Sequence, residues 1–259
     1  MKALHIAATG MKAQELNVEV ISNNVANMRT TGFKRQRADF QDLLYQNLRR
    51  MGTDTSNAGT IVPTGVQIGS GVKTASTTRI MSQGNLEQTN KETDVAIRGE
   101  GFFQIQMPDG TTAYSRDGSF ERDANGTLVT VDGYTIEPGI VIPENGRDLT
   151  ISSDGTVQVT VDGASVNLGQ IQLARFVNKA GLEAIGDNLF LQTDASGAAQ
   201  VGIPGENSFG NLQQNFLEMA NVDAVTEIAD LISAQRAYEM NSRIIKAADD
   251  MYSTTTNLR

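Results

Sequence analysis

Hydrophobic residues recur at a seven-residue spacing along the first 28 positions of the chain. Two series follow this spacing, offset by three positions: Leu4, Met11, Val18 and Val25, and then Ala7, Gln14, Ile21 and Met28. This spacing is typical of the a and d positions of a coiled-coil helix. Asn23, Asn24, Asn27 and Gly32 then supply stop signals. The pattern predicts a helix from Ala3 to about Asn27, in which the polar Gln14 fixes the register.

A second pattern of the same kind ends the chain. Its main series is Leu217, Ala224, Leu231, Tyr238, Ile245 and Tyr252, and the companion positions hold Ala220, Ala234, Asn241 and Ala248. Residues 211–259 contain no Gly or Pro, which predicts one helix of about 40 residues with Asn241 as its polar register position. Small companion residues favour close helix approach. The pattern leaves open whether the two helices pack within one chain or between copies.

The interior of the chain predicts antiparallel strands. Runs rich in Val, Ile, Leu and Thr cover residues 95–105, 127–131, 149–161 and 166–176. Between them stand seven Asp-Gly or Asn-Gly pairs, whose glycines are Gly110, Gly118, Gly126, Gly133, Gly146, Gly155 and Gly163. Such pairs are typical of hairpins with type I′ turns. The middle of the chain is therefore expected to be an antiparallel β domain.

These elements predict an α+β fold in which long, coiled-coil-like N- and C-terminal helices flank an inserted antiparallel all-β domain. The expected divisions are residues 1–45 for the first helix and the segment after it, and 46–72 for an extended linker rich in Gly, Thr, Ser and Asn. The β domain is expected over 73–209 and the second helix over 210–259, where it pairs with the N-terminal region.

Charge divides along the chain in the same way as the patterns. Residues 1–50 carry a net charge of +4, residues 51–210 carry −10 and residues 211–259 carry −3. A basic head and an acidic tail suit contact between the two ends. They do not suit a nucleic-acid-binding protein, which needs one dominant basic face.

No residue pattern predicts catalysis, a cofactor or a metal site. The chain has no Cys and one His, His5, and no nucleophile elbow or phosphate-binding loop. Gly99 and Gly101 lack the third glycine of a dinucleotide fingerprint, and turn chemistry explains the acidic Asp-Gly pairs. We therefore expect a protein that is not an enzyme. Apolar runs are far too short for a membrane span, and His5 interrupts the apolar stretch after Lys2, so no cleaved signal peptide is expected.

Pattern alone leaves three other classes open. A surface-displayed interaction protein could use the same helical stalk and β head, although no anchoring motif is visible. A secreted hydrolase would need a site that the sequence does not show. A small closed oligomer, such as a trimeric coiled coil, would also explain the heptads.

Three stretches resemble the bacterial flagellar rod and hook protein family. Residues 21–34 (ISNNVANMRTTGFK) resemble the family's N-terminal signature, and residues 216–223 (FLEMANVD) with 234–241 (AQRAYEMN) resemble its C-terminal signature. Residues 83–89, 94–103 and 114–120 resemble its shared β domain. The length and the Gly/Thr-rich segment 46–71 are typical of subunits from the distal part of the rod. The proximal rod subunits are the nearest alternative.

The resemblance implies a structural role. Subunits of this family polymerise helically into a hollow shaft in the basal body, crossing the periplasm to the outer membrane, with the terminal helices inside and the β domain outside. The implied partners are copies of the same chain, the proximal rod proteins, the hook protein, the P-ring and L-ring, and the type III export apparatus. A heterologous contact between copies generates such an open polymer.

Two residue sets are the candidate functional positions. The seam residues expected to carry load between subunits are Leu4, Met11, Val18, Ile21, Val25, Leu217, Leu231, Tyr238, Ile245 and Tyr252. The positions matching the family motif are Asn23, Asn24, Asn27, Thr31, Gly32, Phe33, Asn221, Gln235, Arg236, Ala237, Tyr238 and Asn241. Replacing Leu231 or Ile245 with Asp is expected to abolish swarming and leave rods short.

Overall fold

The computed structural model describes residues 2–49, 51 and 64–257, and within them two α-helices stand first and last in the chain with β-strands between them in sequence. The helices are α1 (Lys2–Ala26) and α2 (Ala224–Asn257). The first strands are β1 (Gln36–Asp42), β2 (Tyr45–Arg49), β3 (Val66–Gly69) and β4 (Val72–Arg79). Neither helix is long and apolar enough to cross a membrane. The predicted combination of terminal helices and a mostly antiparallel β-rich region is confirmed.

The remaining strands lie between β4 and α2. They are β5 (Leu86–Gln88), β6 (Val95–Arg98), β7 (Phe102–Gln106), β8 (Thr112–Ser115), β9 (Glu121–Arg122), β10 (Leu128–Val129), β11 (Thr135–Ile136), β12 (Gly146–Ile151), β13 (Thr156–Val161), β14 (Ala164–Gln170), β15 (Leu173–Arg175), β16 (Glu183–Gly186), β17 (Leu189–Leu191), β18 (Gln200–Gly202), β19 (Asn211–Gln214) and β20 (Phe216–Glu218). A 3₁₀ turn covers Lys179–Gly181.

Two compact units divide these elements. The helical unit takes the described parts of residues 1–25, 36–78 and 224–259, and the β unit takes 26–35 and 79–223. In the helical unit, β1 pairs with β4, and β2 pairs antiparallel with β3. The expected 46–72 linker is thus partly hairpin-like at its two ends, and residues 50 and 52–63 of it lie outside the described residues.

The two helices contact each other within the chain through small and polar residues. A Cβ on Gly10 would lie only 3.0 Å from Asn241 Nδ2, and Asn24 hydrogen bonds to Glu227. Gly10 and Asn24 are 14 positions apart, so they stand on one side of α1. The part that the predicted seam residues play in helix pairing stays a prediction.

The β unit holds the main hydrophobic core. Its largest sheet has nine strands, with β16, β17, β8, β7, β11, β10 and β9 in order and with β15 and β18 joined to it at β7. A three-stranded sheet of β12, β13 and β14 packs with it around fully buried Phe103, Ile105 and Leu173. A smaller cluster of edge-to-face rings joins Phe102, Tyr114 and Phe176.

The predicted start of the second helix is wrong. Residues Asn211–Gln214 form β19 and pair with β6, and Phe216–Glu218 form β20 and pair with β5. Leu217 therefore lies on a strand, and α2 begins at Ala224. The absence of Gly and Pro did not decide the structure because backbone pairing with two buried or half-buried strands outweighs local propensity. The break between β19 and β20 falls at Asn215, whose φ is 64°.

Turns are present at most of the predicted pairs, but not at Asp117-Gly118, and most of them are of another type. Only the Asp162-Gly163 pair has positive φ at both residues, as a type I′ turn requires. At Gly110, Gly126, Gly133 and Gly155 the glycine alone is left-handed, and its N–H donates to the carbonyl three residues earlier. These are four-residue turns that end on glycine.

Candidate functional site

A buried ion pair joins the two terminal signature stretches inside the β unit. The Lys34 and Glu218 side chains are both 0% exposed and form a salt bridge. Lys34 Nζ also donates to the Ser82 carbonyl at 2.9 Å, and the Gly84 N–H donates to Glu218 Oε1 at 2.8 Å. Burial lowers the pKa of the Lys34 amine from its usual 10.5, while the adjacent Glu218 carboxylate acts in the opposite direction.

Arg116 adds a second cation to this pair. Its Nη1 lies 3.7 Å from Glu218 Oε2, and its Nη2 donates to the Gly99 carbonyl at 2.8 Å. The guanidinium stands 5.6 Å from the centre of the Phe102 ring. We call Lys34, Arg116 and Glu218 the buried charge cluster. Because each residue comes from a different signature stretch, the cluster is the place where the three stretches meet.

Residues 31 and 32 are held beside this cluster by backbone contacts. The Gly32 N–H donates to the Glu218 carbonyl at 2.7 Å, and Asn188 Nδ2 donates to the Thr31 carbonyl at 2.9 Å. Gly32 has φ of +68°, and a Cβ there would lie 2.7 Å from the Asp117 nitrogen. A glycine is therefore required at this position both by conformation and by space.

Asn221 performs a similar task from the segment before α2. Its Oδ1 accepts from the Arg35 N–H at 2.7 Å, and its Nδ2 donates to the carbonyls of Ile80 and Ser82 at 2.8 and 3.1 Å. Both the segment after α1 and the segment before α2 are thus tied to the same part of the β unit.

Asn24 ties the end of α1 within the helical unit. Its Nδ2 donates to the Gln36 carbonyl at 2.8 Å and to Glu227 Oε2 at 3.1 Å, and its Oδ1 accepts from the Gln36 N–H at 2.9 Å. Asn24 and Glu227 are both buried. One amide therefore connects α1, the first residue of β1 and the first turn of α2.

The predicted seam residues are unequally covered. Ile21 is buried, the tyrosines Tyr238 and Tyr252 are exposed, and the other helical members are half-buried: Leu4, Met11, Val18, Val25, Leu231 and Ile245. Leu217 stands apart from them on β20. Their role in contacts between subunits stays a prediction.

The motif residues divide into two groups. Asn24, Gly32 and Asn221 make the contacts described above, with Asn27, Thr31 and Phe33 half-buried around them. On α2, Ala237 and Asn241 are half-buried, whereas Gln235 and Arg236 are exposed, as is Asn23 on α1.

The charged partners of Lys34 were not predicted from the sequence. Arg116 and Glu218 lie inside the stretches that resemble the family, but neither was singled out as a functional position. A signal existed for Glu218, which is a lone charge in an otherwise apolar or amide-rich stretch. Lys34 gave no such signal, because Arg35 and Arg37 stand beside it in one basic run. Arg116 and Glu227 gave no such signal, because charged residues near turns and at helix starts are normally solvated.

Apolar side chains remain exposed on the side of α2 away from α1. Val225 is 79% exposed, and Ile228, Ile232, Met240, Ile244 and Met251 are each at least 46% exposed. Among residues 224–254 of α2, the buried positions are Glu227, Ala234 and Ala248. A helix with a narrow contact line of small residues and a large exposed apolar surface is typical of an assembling subunit.

A β unit tied by buried polar groups to both connecting segments, together with terminal helices that expose apolar surface, defines a structural assembly subunit. The chain belongs to the flagellar basal-body rod and hook protein family. Three family models match it: "Flagella basal body rod protein" at residues 4–34, "Flagellar hook protein FlgE/F/G D1 domain" at 96–159 and "Flagellar basal body rod FlgEFG protein C-terminal" at 213–258.

Full-length relatives support the same family. The chain is 58% identical over 261 residues to the flagellar basal-body rod protein FlgG of Caulobacter vibrioides, with all of both chains covered. It is 54% identical to FlgG of Agrobacterium fabrum, covering 98% of this chain and 97% of the relative. It is 37% identical to FlgG of Bacillus subtilis, covering 100% and 99%. The family interpretation of the three signature stretches is confirmed.

Proposed function

We propose that this chain is the structural subunit of the bacterial flagellar distal rod. In this role it polymerises helically into the hollow shaft that transmits torque from the motor to the hook. The full-length similarity to flagellar basal-body rod proteins carries the proposal. The exposed apolar side chains of α2 support it, since they need a cover that α1 does not supply.

Burial of those side chains between copies supplies the assembly free energy. Each fully buried Leu, Ile, Val or Met contributes about 1.5–3 kcal/mol. A subunit that touches several neighbours dissociates slowly, because all its contacts must open together. The proposed partners are other copies of the chain, the proximal rod proteins and the hook protein, with the P-ring and L-ring around the rod and the type III apparatus for export.

A proximal rod subunit is the second candidate function. The segment between β2 and β3 favours the distal assignment, since it is rich in Gly and Thr as in distal subunits. The strands on either side of this segment, β2 (Tyr45–Arg49) and β3 (Val66–Gly69), pair antiparallel and carry exposed side chains such as Leu48 and Ile68.

Complementation tests the proposal. The chain is expressed in a Caulobacter strain that lacks its own flagellar basal-body rod protein, and swimming halos and isolated basal bodies are examined. We expect motility to return, with the chain located between the proximal rod and the hook in immunogold images. Failure to restore motility by a chain that is expressed and folded would contradict the proposal. Labelling confined to the proximal rod would favour the second candidate.

A further inference from the structure

A groove between α1 and α2 combines an apolar floor with an acidic rim. It has a volume of about 520 Å³ and is lined by Glu15, Val18, Glu19, Gln235, Tyr238 and Glu239. Val18 and the Tyr238 ring form the apolar part, and Tyr238 is 43% exposed. Glu15 and Glu19 are one helical turn apart, so their carboxylates stand on the same side of α1. The groove therefore suits an apolar segment that also carries positive charge.

The opposite side of α2 carries that chemistry. Arg236 and Arg243 are both exposed and are seven residues apart, which is about 10 Å along a helix. Met240 lies between them and Ile232 lies one turn before Arg236, and these two side chains are 59% and 46% exposed. We call Ile232, Arg236, Met240 and Arg243 the basic face of α2.

Within one chain, the basic face lies across α2 from the Glu15 and Glu19 carboxylates. Glu239 borders both surfaces, since it stands three and four positions from Arg236 and Arg243. Ala234 and Asn241 lie on the side of α2 that faces α1. Arg236 and Arg243 each come two positions later, so they are rotated by about 200° around the helix axis from that side. The groove opens where α1 and α2 adjoin, whereas the basic face points away from α1. Among the described residues, none of the salt bridges involves these two arginines or the three groove glutamates.

We propose that the groove receives the basic face of α2 from a second copy of this chain. Met240 and Ile232 of one copy cover Val18 and Tyr238 of the other, while the two arginines pair with the carboxylates on the rim. Two different patches meet, so the contact is heterologous, and it continues from copy to copy when the rotation between copies does not close a ring. The inference rests on the proposed function, since it names one contact by which the rod grows.

Cysteine cross-linking tests the contact with purified full-length protein. The chain contains no Cys, so a Glu19→Cys/Arg236→Cys variant has one thiol in the groove and one on the basic face. Under mild oxidation of concentrated protein we expect a ladder of disulfide-linked oligomers, at least tenfold more abundant than in Glu19→Cys/Arg122→Cys. Arg122 is exposed in the β unit and provides the matched control. A ladder no stronger than the control would overturn the inference.

Charge reversal tests the same contact in cells lacking their own rod protein. Glu15→Lys/Glu19→Lys and Arg236→Glu/Arg243→Glu are each expected to reduce swimming halos at least tenfold, and the four substitutions combined in one chain are expected to restore much of the loss. Controls with equal charge changes on exposed β-unit residues are Glu144→Lys/Asp162→Lys and Arg122→Glu/Arg147→Glu, for which normal halos are expected. Circular dichroism checks that every variant keeps its helices.

The outcomes separate the inference from the proposed function. Motility of the unaltered chain together with normal motility of both reversed variants would overturn the groove contact and leave the rod function standing. Failure of the unaltered chain to restore motility would instead contradict the rod function, and the groove contact as a step in rod growth would fall with it.

Discussion

At the scale of single residues, short polar contacts explain two of the acidic turns of the β unit. Asp109 accepts from the Thr111 N–H at 3.0 Å and from its hydroxyl at 2.7 Å. Asp154 accepts from the Thr156 N–H at 3.2 Å and from its hydroxyl at 2.9 Å. The threonine hydroxyls are the largest cause that lowers the pKa of both carboxyls from 3.8. Turn geometry therefore accounts for these carboxylates without a ligand.

Removing the hydroxyls is expected to change the acid titration. In Thr111→Val and Thr156→Val, the pKa of the neighbouring Asp carboxyl should rise toward 3.8, as followed by carbon NMR between pH 6 and 2. A lowered folded-state pKa stabilises the fold above 3.8, and this contribution is lost as the pH falls through the folded value. The valine variants should therefore lose less stability over that acid range. Unchanged carboxyl titration in both variants would contradict this role of the hydroxyls.

Gly32 gives the sharpest single-residue prediction. Gly32→Ala must hold a left-handed backbone, which costs about 1–2 kcal/mol, and its Cβ would press on the Asp117 nitrogen. We expect a loss of at least about 2 kcal/mol in the free energy of unfolding of the β unit. Urea denaturation measures the change. Gly110→Ala is the control, since that glycine is also left-handed but has open space around it, and an equal loss in the two variants would show that packing at Gly32 is unimportant.

At the scale of elements, periodicity predicted α1 well and α2 only in part. The expected bounds of α1, Ala3 to about Asn27, differ from Lys2–Ala26 by one residue at each end, because the stop signals after the helix are strong. The expected start of α2 was wrong by more than three turns, because pairing of β19 and β20 is a long-range effect that local pattern does not record. The close approach of Gly10 to Asn241 was not predicted, since the spacing marks apolar residues.

The buried charge cluster connects elements that are distant in sequence, and its removal should be costly. In Glu218→Gln, the buried Lys34 loses its counter-charge, and we expect a loss of about 3–5 kcal/mol in the free energy of unfolding. The Lys34→Met/Glu218→Leu chain should lose less than the sum of its two single variants.

An exposed ion pair supplies the control for these single and double variants of Lys34 and Glu218. Lys91 and Glu121 lie 2.6 Å apart with both side chains partly exposed, so Glu121→Gln should cost less than about 1 kcal/mol. Thermal and chemical denaturation measure the free energy of unfolding of each variant. Additive effects of the Lys34 and Glu218 substitutions would show that the two side chains do not stabilise each other.

At the scale of the whole molecule, the two arrangements that the heptads left open are compatible. The helices contact each other within one chain through Gly10, Asn24 and the small residues of α2, while larger side chains stay exposed. The class of protein could be predicted from sequence because three signature stretches are diagnostic together. The site could be predicted only in outline, since the pairing of Lys34 with Glu218 and Arg116 depends on strand placement that a single sequence does not encode locally.

Exposed and half-buried apolar residues of α2 should respond differently to the same change. Ile232→Asp and Ile244→Asp alter side chains that are 46% and 49% exposed, so the unfolding free energy of the free subunit should change by less than about 0.5 kcal/mol, while rods fail to form. Leu231→Asp and Ile245→Asp, at half-buried positions, should also lower the helix content of the free subunit.

Circular dichroism and swimming halos together check this prediction. Ile185→Asp is the matched control, because Ile185 is 44% exposed in the β unit, and motility should be normal. Full motility of both Ile232→Asp and Ile244→Asp would argue against burial of this surface of α2 between subunits.

The distance along the chain between Lys34 and Glu218, 184 positions, also sets an order of events. A polypeptide that leaves a ribosome or a narrow channel with its amino end first presents the lysine when its counter-charge is still far from the exit. Burial of an unpaired ammonium group is unfavourable, so we expect the surroundings of Lys34 to stay hydrated until residue 218 arrives. We therefore expect the segment that follows α1 to complete its folding only after the final sixth of the polypeptide has emerged.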